Sequence, residues 1–218
     1  MPIQRAPPLL LVLPGWDDAG KEQFERLEAE LSPAGWQCRR ADLPDADWPA
    51  ERRRHVSRED SLRQALKDHD ALANGDRHPC VALLGFSYGG YLAALISARR
   101  TVSHLVLRSP ALYPDDDWTV PKEELDKRML EAYRDRPHAP SDNRALAACA
   151  AFRGHALLVS SELDQVIPPT VVDSYSSALQ RALTLEHKVL PGADHLLSRA
   201  EWRDQYHAMV VGWLLRHA

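Results

Sequence analysis

Val81-Ala82-Leu83-Leu84-Gly85-Phe86-Ser87-Tyr88-Gly89-Gly90 is the stretch whose reading decides the fold. Val81 to Leu84 is short and wholly apolar, which suits a central strand buried on both faces. Tyr91 to Arg99 follows with the Ala- and Leu-rich composition of a helix. A G-x-S-x-G sequence between a strand and a helix is the context of a nucleophile elbow, in which Ser87 takes a strained backbone conformation at a very tight turn. Side chains two residues to either side would collide there, so Gly85 and Gly89 are needed, and Gly90 eases packing of the helix. Such a turn lifts the Ser87 hydroxyl above the sheet and aims the positive end of the helix at any oxyanion formed beside it. Taken alone, the pattern also fits a tight strand-to-helix turn without chemistry.

Outward from this stretch, apolar runs alternate with amphipathic segments along the whole chain, as in a parallel sheet covered by helices on both faces. Leu9 to Leu13, Trp36 to Ala41, Val102 to Leu107, His155 to Val159 and Leu185 to Leu190 read as further strands, giving about six. Phe24, Leu27 and Leu31 share one helix face, which Pro33 and Gly35 end. Ser57, with Asp60 three residues on, reads as a capped helix start. Helical material is expected over Glu123 to Arg134 and Asn143 to Ala150. Val171, Val172, Tyr175 and Leu179 mark one later helix, and Trp202, Tyr206, Met209, Val210 and Trp213 a last one. With no linker in the alternation, residues 1–218 read as a single domain.

Composition narrows the function classes. A net charge of −4 gives no basic excess for nucleic acid. Arg52, Arg53 and Arg54 are flanked by Glu51, Glu59 and Asp60 and read as a solvated helix edge. Three well-separated cysteines leave no complete disulfide framework. The apolar run at Leu9 to Leu13 stops at Pro14-Gly15 without a cleavage site, and no stretch is long enough to span a membrane, so a soluble cytoplasmic protein is expected. The histidines show no metal-ligand spacing, and Asp42, Asp45, Asp47 and the run Asp115 to Asp117 read as acidic loops. Neither a metal nor a cofactor is expected.

A serine hydroxyl needs a hydrogen-bonded base, and the base needs a third group to fix its tautomer. His195, in Gly192-Ala193-Asp194-His195, follows the last strand. Asp164, in Ser161-Glu162-Leu163-Asp164, runs off the end of the strand before it. Both fall on loops at the carboxyl edge of the sheet, where ligands bind in such folds. Glu162 is an alternative acid, and Asp194 reads as a loop-fixing acceptor.

These residues, in the order Ser87, Asp164, His195, resemble the α/β-hydrolase superfamily, in its small serine esterase and dienelactone-hydrolase-like branches, over nearly the whole chain. The resemblance implies that Ser161-Glu162-Leu163-Asp164-Gln165-Val166-Ile167-Pro168 is the acid loop, with Asp164 as the acid, and that Gly192-Ala193-Asp194-His195 is the histidine loop. Dienelactone hydrolases proper carry a cysteine nucleophile. Ser87 in its place favours plain esterase chemistry. The family's oxyanion loop corresponds to Pro14-Gly15-Trp16-Asp17, with proline where histidine is usual, which implies the backbone N–H groups of Trp16 and Tyr88 as donors. The family's sheet commonly begins with two further strands for which this N-terminus is too short, so a trimmed core is expected.

The implied reaction is hydrolysis of a carboxylic ester through an acyl-enzyme on Ser87. Its partner is a small-molecule ester or thioester, with no nucleic acid and no membrane involved. Acyl thioester cleavage and a non-catalytic binding protein are the alternatives. In this family the connection corresponding to residues 109–154 commonly carries a cap. Here it offers Tyr113, Trp118 and Tyr133 as large side chains to roof a pocket. So brief a cap implies short acyl groups.

Overall fold

The computed structural model describes residues 6–16, 20–74, 78 and 80–217. Asp17, at the end of the expected oxyanion loop, lies outside them. Among the described residues six strands form one parallel sheet: Leu9–Leu13 (β1), Gln37–Arg40 (β2), Val81–Phe86 (β3), His104–Arg108 (β4), His155–Ser161 (β5) and Thr184–Leu190 (β6). Their spatial order is β2-β1-β3-β4-β5-β6. The helices are Gly20–Leu31 (α1), Ala50–Arg53 (α2), Arg58–Ala73 (α3), Tyr88–Ser97 (α4), Lys127–Arg134 (α5), Arg144–Ala151 (α6), Pro169–Ala178 (α7) and Ala200–His217 (α8).

Continuous apolar runs make the central strands because both faces of the sheet are covered. Side chains alternate across a strand, and Leu11 and Leu13 accordingly join one core while Leu10 and Val12 join the other. Leu83, Leu105, Leu107, Ala156 and Leu158 extend the first core, which packs under α3, α4, α6 and α7. Leu84, Val106, Leu157 and Val159 extend the second, which packs under α1 and α8. The edge strand β2, with Arg39 and Arg40, is charged and half exposed, which guards the sheet edge against pairing with another chain. Ser57 caps α3 as expected. Its hydroxyl accepts from Asp60 N–H at 3.1 Å, and the Asp60 carboxylate accepts from Ser57 N–H at 3.2 Å.

The elbow closes because three backbone segments pack with nothing between them. A Cβ on Gly89 would fall 2.1 Å from the Leu13 carbonyl oxygen at the end of β1, and one on Gly85 would fall 2.4 Å from the Gly89 carbonyl oxygen. The nearest atoms these methyls would meet are backbone, of Leu13 and Pro14 for Gly89 and of Gly89 and Gly90 for Gly85.

The connection from β4 to β5 has two parts. Its C-terminal half, α6, buries Ala145, Leu146, Ala148 and Cys149 in the layer beside α4 and α7. Before it, α5 lies farther out and carries Met129 at 70% exposure. The stretch 112–116, between β4 and α5, has no regular structure and is held by side chains. Buried Arg58 donates to the carbonyls of Pro114 and Asp116, Arg134 to that of Leu112 at 2.9 Å, and Asn143 to that of Tyr113 at 2.7 Å.

Gly89→Ala should therefore cost at least about 1–3 kcal/mol, the usual penalty of forcing atoms into a packed core. Gly212→Ala in α8 should instead add about 0.5–1 kcal/mol, the ordinary helical preference for alanine, since its new methyl meets nothing nearer than Arg216 Nη1 at 3.6 Å. Chemical denaturation of both variants checks this. Equal effects would mean that the elbow is not sterically closed.

Candidate active site

Ser87 stands between β3 and α4 at φ 47°, ψ −108°, outside the regions that side-chain-bearing residues favour. Such a conformation persists only if neighbours over-determine it. Ser87 N–H donates to the Arg108 carbonyl at 2.9 Å, and the Ser87 carbonyl accepts from Ala111 N–H at 2.9 Å and Tyr91 N–H at 3.2 Å. The end of β4 and the chain just beyond it thus grip the serine backbone on both sides.

His195 and Asp164 meet across the carboxyl ends of β5 and β6. Asp164 Oδ2 accepts from His195 Nδ1 at 2.9 Å, while Oδ1 accepts from the backbone N–H groups of Val166 at 3.0 Å and Ile167 at 2.8 Å. A carboxylate can only accept, so Nδ1 carries the proton, and in the neutral imidazole Nε2 is then the nitrogen with the lone pair. Burial alone would raise the Asp164 carboxyl. The hydrogen bond and charge of His195, with the Ile167 N–H and the Ser109 hydroxyl, hold it down to about 2. Ser87 and His195 line one cavity with Gln23, Phe86, Arg108 and Leu196, of about 240 Å³ including space open to solvent.

The alternative acids serve the loops. Glu162 Oε2 accepts from Gly192 N–H at 2.6 Å, bracing the start of the histidine loop. Asp194 accepts from Ser198 N–H at 3.0 Å and from the Ser198 hydroxyl.

Trp16 and Tyr88, whose backbone N–H groups are the expected oxyanion donors, pack their rings edge to face at 5.2 Å. The Lys122 ammonium sits 4.1 Å above the Trp16 ring and 5.5 Å from that of Tyr88. The three aromatics expected to roof the pocket are placed elsewhere. Tyr113 is buried, with Tyr88 and Tyr91 at 5.8 and 5.0 Å, and Trp118 lies 6.5 Å from Tyr91. Tyr133 stacks on His138 at 3.9 Å and borders a separate cavity along α5 with Pro114, Leu125 and Met129. None of the three lines the cavity shared by Ser87 and His195.

The sequence reading missed Arg108, Gln23 and Leu196 as neighbours of that cavity. Arg108 left a signal, a charged residue directly after a wholly apolar strand at the sheet's carboxyl edge, where a buried charge needs dedicated partners. Gln23 left none, because it arrives from α1 on the other face of the sheet.

A family model described as the prolyl oligopeptidase family matches residues 62–218, the part that carries Ser87, Asp164 and His195. The chain belongs to the prolyl oligopeptidase family. No curated protein sequence matches it. Among solved structures, this prolyl oligopeptidase family chain is similar to a metagenome-derived lipolytic enzyme of the LipS and LipT work, at TM-score 0.71 and 14% identity over 98% of this chain and 96% of that one. It is also similar to Est1E from Butyrivibrio proteoclasticus, at TM-score 0.69 and 16% identity over 99% and 90% of the two chains. A thioesterase domain from the curacin biosynthetic pathway matches at TM-score 0.64 and 15% identity over 96% and 91%. The fold is that of the α/β-hydrolases, as the motif order implied.

The depressed Asp164 carboxyl has a consequence for acid stability. Its folded pKa of about 2 lies below the unfolded value of about 3.9, so the unfolded chain takes up the proton first. The stabilisation is complete above about pH 4 and is lost as pH falls through 2. Asp164→Asn should flatten the stability profile between pH 4 and 2 relative to the parent, measured by urea denaturation at stepped pH. An unchanged slope would mean that the carboxylate is not held by these partners.

Proposed function

We propose that the protein is a serine hydrolase that cleaves carboxylic esters. The observation that carries the reading is the 2.9 Å bond from His195 to Asp164 beside a serine held at positive φ in the same cavity. Ser87 Oγ attacks the ester carbonyl while His195 Nε2 takes its proton. The imidazolium so formed is stabilised by Asp164, which also keeps the Nδ1 tautomer in place. Backbone N–H groups of Trp16 and Tyr88 receive the oxyanion, and the packing of their side chains keeps the loop and the helix start at a fixed separation. His195 returns the proton to the departing alcohol. Water activated by the same nitrogen then releases the acid from the Ser87 acyl-enzyme.

The lipolytic enzyme among the similar structures supports an ester as substrate. The cavity that Ser87 and His195 share is small and lined by few side chains, which supports a short acyl group. The family match favours a second reading, cleavage of a peptide amide. There the same proton from His195 would go to a leaving amine.

A fluorophosphonate probe should label the parent protein, and Ser87→Ala should lose both label and turnover while keeping its fold. Asp164→Asn should lose turnover by up to about 10⁴-fold through the wrong histidine tautomer, and Glu162→Gln should change it little. The opposite ranking would move the acid role to Glu162. Against acyl esters from acetyl to palmitoyl, kcat/KM should peak early and fall beyond medium chains. A steady rise to palmitoyl would sink the small-pocket reading, and faster turnover of prolyl anilides than of any ester would establish the peptidase reading.

A further inference from the structure

Arg108 ends β4 inside the sheet, 2% exposed, and its guanidinium reaches the end of β5 and the histidine loop. Nη1 donates to the Ser109 hydroxyl. Nη2 donates to the Ser161 hydroxyl at 2.9 Å, to the His195 carbonyl at 2.8 Å and to the Asp194 carbonyl at 3.3 Å. The Ser161 hydroxyl itself donates to the Asp194 carbonyl at 2.7 Å, and the Ser109 hydroxyl helps to hold the Asp164 carboxyl low. One side chain therefore ties the end of β4 to the end of β5 and to the backbone of the histidine itself.

The guanidinium faces the acid only at the outer limit of an ion pair. Arg108 Nη1 stays 4.0 Å from Asp164 Oδ2, while His195 holds that oxygen at 2.9 Å. A direct two-pronged Arg–carboxylate pair would be the stronger contact. It would also compete with the imidazole for the acid. Here the short contacts go to hydroxyls and carbonyls, so the carboxylate remains available to Nδ1. A buried charge is costly unless fully hydrogen-bonded, and Arg108 is placed where a leucine would have completed an apolar strand. Ser109, next in the chain, is itself held at φ 38°, with its N–H donating to the Val159 carbonyl at 2.7 Å. Strain of this kind is tolerated where surrounding contacts over-determine the backbone.

We propose that Arg108 is a positioning residue, which fixes the histidine loop against the end of β5 so that His195 is preset between Asp164 and Ser87. The role rests on the serine hydrolase reading for its effect on turnover, though not for its effect on geometry. A lysine cannot replace it, because a single ammonium lacks the planar fork that spans two hydroxyls and two carbonyls at once.

The test measures geometry and turnover separately. In the parent, the Nδ1 proton shared by His195 and Asp164 should give a strongly deshielded proton NMR signal that His195→Ala removes. Arg108→Ala should weaken that signal or broaden it by faster exchange. It should also lower kcat on a short ester about 10²-fold, the scale of a roughly 1 Å misplacement of a reacting group, with KM nearly unchanged. Guanidinium ion added below denaturing concentration should recover part of the loss, and Arg108→Lys should recover much less. Should Arg108→Ala not fold, Ser161→Ala removes one acceptor of the fork without exposing a charge and should show the same pattern in smaller measure. Unchanged kcat, or a loss matching the unfolded fraction by circular dichroism with the proton signal intact, would overturn the role. If the parent itself takes no fluorophosphonate label, the hydrolase reading falls while the proton signal still decides whether Arg108 positions the histidine.

Discussion

Three stretches of backbone, the end of β1, the end of β3 and the first turn of α4, meet at Gly85 and Gly89 with no room for a Cβ between them. That closeness leaves Ser87 one way round the corner, with its φ positive, and a residue so strained needs restraint from outside the turn. The restraint comes from the Arg108 carbonyl and the Ala111 N–H on the neighbouring strand and the chain beyond it. The elbow therefore depends on β4 lying in register beside β3, with Phe86 opposite Arg108. Register in turn depends on a sheet buried on both faces, where a slip by one residue would move every side chain to the wrong core.

That dependence explains why so much was legible in the sequence. Strands buried on both sides must be continuously apolar, and β1 was readable from Leu9 to Leu13 without error. Around the elbow the reading was shorter than the structure. β3 continues through Gly85 and Phe86, and α4 begins at Tyr88 rather than Tyr91, because glycine lowers local helix propensity while tertiary packing overrides it. The short α2 was seen only as a charged helix edge. Its four residues bury nothing, so no periodicity marks it.

The candidate site divides along the same line. Ser87, Asp164 and His195 were legible because each stands on a loop beyond the carboxyl end of a parallel strand, a position that elementary sheet geometry brings to one edge. Arg108 was not, since the apolar run reads as a strand only as far as Leu107. Its partners are mostly far along the chain, Ser161 and the carbonyls of Asp194 and His195, and no local pattern encodes contacts of that separation. Tyr113 and Trp118 were misplaced for a related reason. Size and position suggest a pocket wall equally well as core, and the decision rests on distant residues. Arg58 and Arg134 lie 5.6 and 4.9 Å from the Tyr113 ring and hold the surrounding carbonyls, which draws the ring inward.

The aromatic cluster gives the β4–β5 connection a bearing on the site even though it does not line the cavity. Tyr113 and Trp118 from that connection pack on Tyr91 of α4, and Tyr113 reaches Tyr88, whose ring in turn meets Trp16. Edge-to-face contacts of this kind each contribute about 0.5–1.5 kcal/mol beyond burial and are sensitive to ring orientation. A chain of them transmits the position of one ring to the next more stiffly than aliphatic packing would. Lys122, from the same connection, closes the chain from the other side by placing its ammonium over both Trp16 and Tyr88. The loop after β1 and the start of α4 are thus braced from a segment whose own backbone has little regular structure. That segment can brace them only because buried Arg58, Arg134 and Asn143 satisfy its carbonyls. Polar side chains that look superfluous in a core thereby set the spacing between the two backbone N–H groups proposed to receive an oxyanion.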